Sequence, residues 1–519
     1  MRKRNAVRAV AAALAAMMAL TACGDGGGNE TTAAAGGDTG STAAGGDAAA
    51  SGSGEVGKTD ITFAMGADIV TLDPAGQQDT TTSVIIKHVY STLLDISDEG
   101  ELVPDLAESY ELVNDTDFVF KLREDAVWSD GTPVTANDVK FTFDRAKNMP
   151  KTKSNTSKVK EVVVDNEHQV TIKLTEPYAP FKSIVANSNL SIVQEAAVTA
   201  AGEAYGDADN AVGSGPFTVK EWVPNDHYTL EKNAKYWGEE PITTSITCRV
   251  IPEGSARAIA LETGEVDLVW NVDPTDCSNI EANSDVKLLS QPSSSIEYLG
   301  MNVTKEHFKD QKVRQAISYA IDKQALVDTI VEGRGTVANS YINNTIPGWT
   351  DEVEAYPYDP EKAKELMAEA GYPDGFSCQL WVNGDVRTRS AQMVQAQLAE
   401  IGITVDISTM EWGAFLDALN AGEHEMFILG WSNGTFDADG STYQLFHSSN
   451  HGATGNRAFY SNPEVDTLIE QAQKESDNAK RMELYKEIQQ KINDDAPWAC
   501  LFYGTTCTGI RADLKGFVL

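Results

Sequence analysis

Helices that stop at a glycine and run straight into alternating strands constrain this chain most. Asp359-Pro360 supplies an N-cap and a first-turn proline for a helix over Glu361 to Ala370, and Gly371 ends it. A helix from Arg389 to Ile401 stops at Gly402, and Ile403-Thr-Val-Asp-Ile-Ser follows as a strand. Such a helix has one apolar stripe to cover, and packing it on the next strand builds a mostly parallel sheet. Asp60-Ile-Thr-Phe-Ala-Met, Gln169-Val-Thr-Ile-Lys-Leu and Phe118-Val-Phe-Lys-Leu read as strands covered on one face. Thr135-Ala-Asn-Asp138 predicts a capping box opening a helix over Val139 to Lys147. Val313 to Ala320 and Lys323 to Val331 are amphipathic, separated by the cap Asp322, and Gly333 stops the second. Asn462-Pro463 opens another helix, and a longer one runs from Ala479 to Ile492. There is no repeat of fixed period. The class is α/β.

At 519 residues the chain is too long for one core, so two or three lobes are expected. It carries 77 Asp and Glu against 41 Lys and Arg, a formal charge of −36, which argues against nucleic acid as a partner. No apolar uncharged run reaches 18 residues, so a membrane-embedded body is not expected.

The first 23 residues read as an export signal. Arg2, Lys3, Arg4 and Arg8 precede an apolar stretch from Ala9 to Leu20, too short to span a bilayer comfortably. Leu20-Thr-Ala-Cys23 then matches the bacterial lipobox, which predicts lipidation of Cys23 and a protein anchored outside the cytoplasmic membrane. Gly24 to Gly57 hold no aromatic residue and are rich in Gly, Ala, Thr, Ser and Asp, the composition of a disordered linker. As a flexible coil it would reach roughly 30 Å. Five cysteines remain beside Cys23: Cys248, Cys277, Cys378, Cys500 and Cys507. Export permits disulfides, the odd number leaves at least one thiol free, and connectivity stays open.

Several patterns resemble chemistry. Gly430-Trp-Ser432-Asn-Gly434 matches the nucleophile elbow of serine hydrolases, but turn residues follow where that motif needs a helix. Asp437, Asp439, His447 and His451 come after it in triad order, crowded into 15 residues. His447-x₃-His451 lacks the carboxylate of a zinc motif, Asp437-x-Asp439 lacks an EF-hand loop, and no phosphate-binding GxxxxGK[ST] occurs. The expectation is therefore no enzyme, no cofactor and no metal.

A series of blocks resembles the solute-binding proteins of peptide-type ABC importers, the dipeptide/oligopeptide-binding family (extracellular solute-binding protein family 5). They are Thr71-Leu-Asp-Pro74, the run Leu102 to Tyr110, the run Phe120 to Val139 with its Trp-Ser-Asp-Gly-Thr-Pro core, and Gly213-Ser-Gly-Pro-Phe. Asn233-x-x-Tyr-Trp237, Leu261 to Asp267, Val313 to Asp322 and Tyr358 to Gly371 follow in the family's order. The likeness covers about residues 59–510.

The resemblance implies a periplasmic-binding-protein-like type II fold of three lobes with a hinged cleft. Lobe I would comprise 58–90, 210–296 and 498–519, lobe II the insertion 91–209, and lobe III 297–497. It implies a monomer that captures di- or oligopeptides and delivers them to a permease and ATPase complex, touching the membrane only through its lipid. The same role for an oligosaccharide, metal chelate or opine-like compound is the alternative, and a secreted hydrolase using Ser432 a remote one. The ligand's α-amine would sit on Asp437, against a wall of Gly430, Trp431 and Ser432. Trp412 and Tyr298 would face the cleft, and Asp79 and Thr80 would lie on the first lobe's loop. Two features depart from the family: Asp437-Ala-Asp-Gly440 lacks the family's proline, and Trp381 stands where a basic carboxylate clamp is expected, leaving Arg387 and Arg389 as substitutes.

Overall fold

Two long antiparallel strands, Val286–Met301 and Trp498–Arg511, form the middle of an 11-stranded sheet. On one side lie Met426–Ser432, Phe376–Val382 and Ile403–Thr409. On the other lie Leu268–Val269, Asp60–Met65, Ser245–Val250, His227–Lys232 and Phe217–Val223, while Gly335–Val337 pairs with Trp498–Arg511 off this path. The computed structural model describes residues 58–97 and 100–517, without the side chain of Thr454. The export signal, the Cys23 lipidation site and the linker to Gly57 lie outside the described residues.

The sheet is mixed, not mostly parallel. Pairing is parallel where a helix connects neighbours, as for Phe376–Val382 with Ile403–Thr409 through the helix Asp385–Ala399. It is antiparallel along both long strands and in the hairpin of Phe217–Val223 with His227–Lys232. The predicted caps form: Asp322 accepts from the Ala325 amide at 2.9 Å, Asp359 from Lys362 at 2.9 Å, and the Asp138 carboxylate from the Thr135 amide at 3.0 Å. The helix predicted from Arg389 starts a turn earlier, at Asp385, because Gly384 admits the left-handed conformation that turns the chain into it.

Both faces of the Met426–Ser432 end of the sheet are covered. Leu299, Met301 and Ile428 pack under the helices Gln311–Ala320, Lys323–Ile330 and Asp385–Ala399. Tyr298, Phe427 and Leu429 pack under Ala438–Phe446, Pro463–Lys474 and Asn478–Asp495. The segment 91–209 has its own four-stranded antiparallel sheet (Ala107–Asn114, Asp117–Leu122, Gln169–Leu174, Val159–Asn166) and its own core around Trp128, Phe120 and Phe143. The Gly213-Ser-Gly-Pro connection returns from it, and a Cβ on Gly213 would sit 1.9 Å from the Val89 carbonyl oxygen. Only a glycine lets these two backbones lie together there, with the Gly215 amide bonded to that same oxygen at 2.9 Å.

The long strands are least regular in their middle. Their register shifts between Pro292 and Ile296, opposite Thr505 to Tyr503. Pro292 has no amide to donate, and Ser293 to Ser295 are half-exposed, so little apolar packing stiffens this stretch.

Candidate functional site

The segment 91–209 meets the helices beyond Ser432 through a few polar contacts. The Ala179 amide donates to the Gln473 carbonyl at 2.8 Å, and the Tyr178 hydroxyl donates to Asp439 Oδ2 at 3.1 Å. Lys474 Nζ lies 3.0 Å from Glu176 Oε2, and Lys158 grips the other oxygen of that carboxylate. A narrow crevice runs beside them between Asn155, Tyr178 and Ile184 on one wall and Thr435, Tyr443 and Gln444 on the other. Apart from Asp439, none of these partners was marked by the sequence, and Tyr178 and Asp439 are 261 residues apart.

Asp437 is not a surface turn residue. It is 6% exposed, caps the helix Ala438–Phe446 by accepting from the Asp439 amide at 2.9 Å, and holds Arg481 in a bidentate pair at 2.7 and 2.5 Å. The turn residues after Ser432 thus lead into a helix that starts five positions later than a nucleophile elbow requires. Arg481 comes from the helix Asn478–Asp495 and is 4% exposed, so this is a buried ion pair whose charges are satisfied within the chain. A ligand ammonium reaching Asp437 would have to compete with that guanidinium.

Asp439 points the other way. Gln473 Nε2 donates to its Oδ1 at 3.0 Å while Tyr178 holds Oδ2. Burial, followed by the nearby charge of Asp437, raises its pKa to about 6. Both carboxylates of Asp437-x-Asp439 therefore face protein donors, not a calcium site.

Tyr298 lies in the core, not on a cleft wall. Its place in the strand Val286–Met301 turns the ring onto Trp498, stacked at 3.3 Å between centroids, with Phe427 edge-on. Trp431 is half-buried against Ile296, Ala338 and Tyr503, beside Trp349, and its indole nitrogen is buried without a partner. Ser432 is exposed at the end of its strand. His447 Nδ1 bonds Ser449 Oγ at 2.7 Å and His451 Nε2 bonds the Tyr460 carbonyl at 2.9 Å, so neither imidazole pairs with Ser432. Trp412 is 46% exposed at the start of the helix Trp412–Asn420 and tilts toward Phe415. Asp79 caps the helix Thr80–Val89 by accepting from the Thr82 amide at 2.8 Å, and Thr80 is exposed beside it.

Of the substitute cations, Arg387 is engaged, whereas Arg389 Nη2 is buried without a hydrogen-bond partner. Arg387 forms a bidentate pair with Glu297 at 2.9 and 2.7 Å, crossing over Gly430, where a Cβ would lie 2.3 Å from Glu297 Oε1. Gly430 is therefore the space that this pair occupies. Arg389 Nη2 lies 4.0 Å from Asp273. Arg145 clamps Asp73 at 2.9 and 2.5 Å, joining 91–209 to the Thr71-Leu-Asp-Pro turn, and Gln77 Nε2 donates to Ser188 Oγ at 3.3 Å.

Residues 101–453 match the family model of bacterial extracellular solute-binding proteins, family 5. The glutathione-binding protein GsiB of Escherichia coli strain K12 is 34% identical, with 88% of this chain and 91% of that protein aligned. The periplasmic binding protein DppA from Helicobacter pylori, solved with peptide STSA, superposes with a TM-score of 0.81 at 29% identity over 88% of this chain and 94% of that one. AgaA from A. tumefacien R10, solved with agropinic acid, gives 0.78 at 26% identity over 87% and 93%. The mixed sheet and covering helices define a type II periplasmic-binding-protein-like fold, and with it the solute-binding component of an ABC importer. The chain belongs to the family 5 bacterial extracellular solute-binding proteins, which work outside the cytoplasm.

Two outcomes follow from these charges. Arg481→Met leaves Asp437 buried and unpaired, and Asp437→Asn does the same to Arg481; each should cost about 3–5 kcal/mol in denaturant unfolding. Asp439, raised from 3.8 to about 6, contributes stability that is full below its unfolded value and is lost as pH rises through about 6. Asp439→Asn removes that dependence, so the melting temperature of the variant minus that of the parent should climb between pH 4.5 and pH 7.5.

Proposed function

We propose that this protein is a lipid-anchored receptor that captures a small peptide-like solute between hinged lobes and hands it to its permease. The observation that carries this reading is the set of polar contacts from Glu176, Tyr178 and Ala179 to Lys474, Asp439 and Gln473. They join two separately cored parts of the chain, and polar contacts of this kind can open. The irregular middle of the two long strands supplies the hinge, and the lobe boundaries fall at 91, 210, 297 and 498.

A zwitterion leaving water needs partners for its charges and amides. The carboxylate of Asp437 and the guanidinium of Arg387 are held by this chain's own opposite charges, so the solute is gripped chiefly by neutral donors and acceptors. In this reading Thr435, which lines the crevice, Asn187, whose Nδ2 lies near Gly434, Ser432 and the Asp79 and Thr80 loop would supply that set, with Trp431 behind them. Glutathione is the first solute to test, given the 34% identity to GsiB. An opine-like compound is the second, supported by the likeness to AgaA bound to agropinic acid.

Closure must come from the solute's preference for the closed form: moving an open-to-closed ratio from 99:1 to 1:99 takes about 5.5 kcal/mol. A micromolar ligand provides about 8 kcal/mol in all. Isothermal titration should find a dissociation constant in or below the micromolar range for glutathione or a short peptide. Absence of binding to glutathione, di- to pentapeptides and opines would defeat the reading. Tyr178→Phe removes a bond to a charged acceptor that exists only when the lobes meet, so affinity should fall about ten-fold or more.

Lipidation of Cys23 holds the protein at the membrane. Cys23→Ser should move it from the membrane fraction to the soluble extracytoplasmic fraction with solute binding intact, and unchanged fractionation would contradict the anchor.

A further inference from the structure

Cys277 and Cys507 meet from opposite ends of the fold. Cys277 lies in the helix Pro274–Ala282, Cys507 in the strand Trp498–Arg511, and both are buried. The Val272 amide donates to the Cys507 carbonyl at 2.8 Å, which seats the start of that helix over the strand. Both sulfurs are free thiols packed into the same cluster, close enough to influence each other. Cys277 Sγ also lies 3.5 Å from the Asp273 carbonyl, and Cys507 Sγ 3.5 Å from Ser290 Oγ. Leu261, Val269, Val272 and Ile280 enclose the pair in a single apolar cluster. Arg334 stands beside it, bonded to Glu281 through Nη2 at 2.9 Å, with its Nε buried and without a partner. The other three described cysteines are dispersed: Cys248, Cys378 and Cys500 each belong to a different cluster.

We propose that Cys277 and Cys507 are joined by a disulfide in the exported protein. Family 5 proteins work outside the cytoplasm, where such bonds form and persist. The oxidant is an external disulfide, carried by a thiol–disulfide exchange protein or a small molecule. One thiol of the pair, as its thiolate, attacks the carrier disulfide. Its sulfur bonds to one sulfur of the carrier and the other leaves as a thiolate. The second thiol then loses its proton and attacks that sulfur, displacing the remaining carrier thiolate. Two protein thiols and one carrier disulfide become one protein disulfide and two carrier thiols. Burial of both sulfurs puts this exchange before the C-terminal strand finishes docking.

The bond would tie the helix Pro274–Ala282 to one of the two long strands just below their irregular stretch, because Cys507 pairs in register with Ser290, two residues before Pro292. Bending would then be confined to the segment above it.

The test uses full-length protein exported by its host, denatured in guanidinium chloride and alkylated before and after reduction. Before reduction Cys248, Cys378 and Cys500 should label and Cys277 and Cys507 should not; after reduction all five should. A non-reduced digest should yield the Cys277 and Cys507 peptides linked, two hydrogens lighter than their sum. Labelling of either cysteine without reductant, or a linkage of either to another cysteine, would overturn the proposal.

Discussion

The pairing of Val286–Met301 with Trp498–Arg511 carries a ladder, broken in register between Pro292 and Ile296, from the Asp60–Met65 side of the sheet to the Met426–Ser432 side. Every other strand of the large sheet is ordered outward from these two. At both ends the ladder is stiffened by packing: Val286 lies among the residues around Leu261 and Ile280, and Leu299 and Met301 lie under the helices on the far side. Between them Pro292 to Ser295 have neither regular register nor deep burial. Two stiff bodies joined by two soft strands can turn about one axis and keep the strand order of both intact. That property makes a cleft useful to a receptor that must let its solute go.

The buried charges obey a complementary rule. Asp437 with Arg481, Glu297 with Arg387, and Asp73 with Arg145 are each bidentate and at least partly buried. Desolvating such ions is costly, and the fork of an arginine offsets it best when both oxygens are held. These pairs stiffen their surroundings, and on the proposed reading they leave few free charges for a zwitterionic solute to meet. The bonds from Tyr178 to Asp439 and from Ala179 to Gln473 are different, because they cross between parts of the chain and would be lost on the proposed opening.

Local signals carried much of the architecture. Asp322, Asp359 and Asn462 cap the helices expected of them, because an N-cap is decided within four residues. The family blocks gave the fold class, since their order along the chain is set by the order of its elements. The site was far less legible. The resemblance put an amine anchor on Asp437, but nothing near it in sequence announces Arg481, which arrives 44 residues later on another helix. Tyr298 alternates on its strand in a way that fits either a cleft or a core, and only Trp498 from the C-terminal strand decides for the core. The predominance of parallel pairing was overstated because the two long strands run antiparallel to their neighbours over distances no local pattern reveals.

Bending at the two long strands is tested most directly by pulsed electron–electron distance measurement. Spin labels would be placed on the exposed Lys182, in the 91–209 segment, and Lys480, on the helix Asn478–Asp495. With saturating solute, whose binding is established by titration, the account predicts one short, narrow distance population. Without solute it predicts a longer and broader one. A distribution that stays the same when solute binds would contradict it.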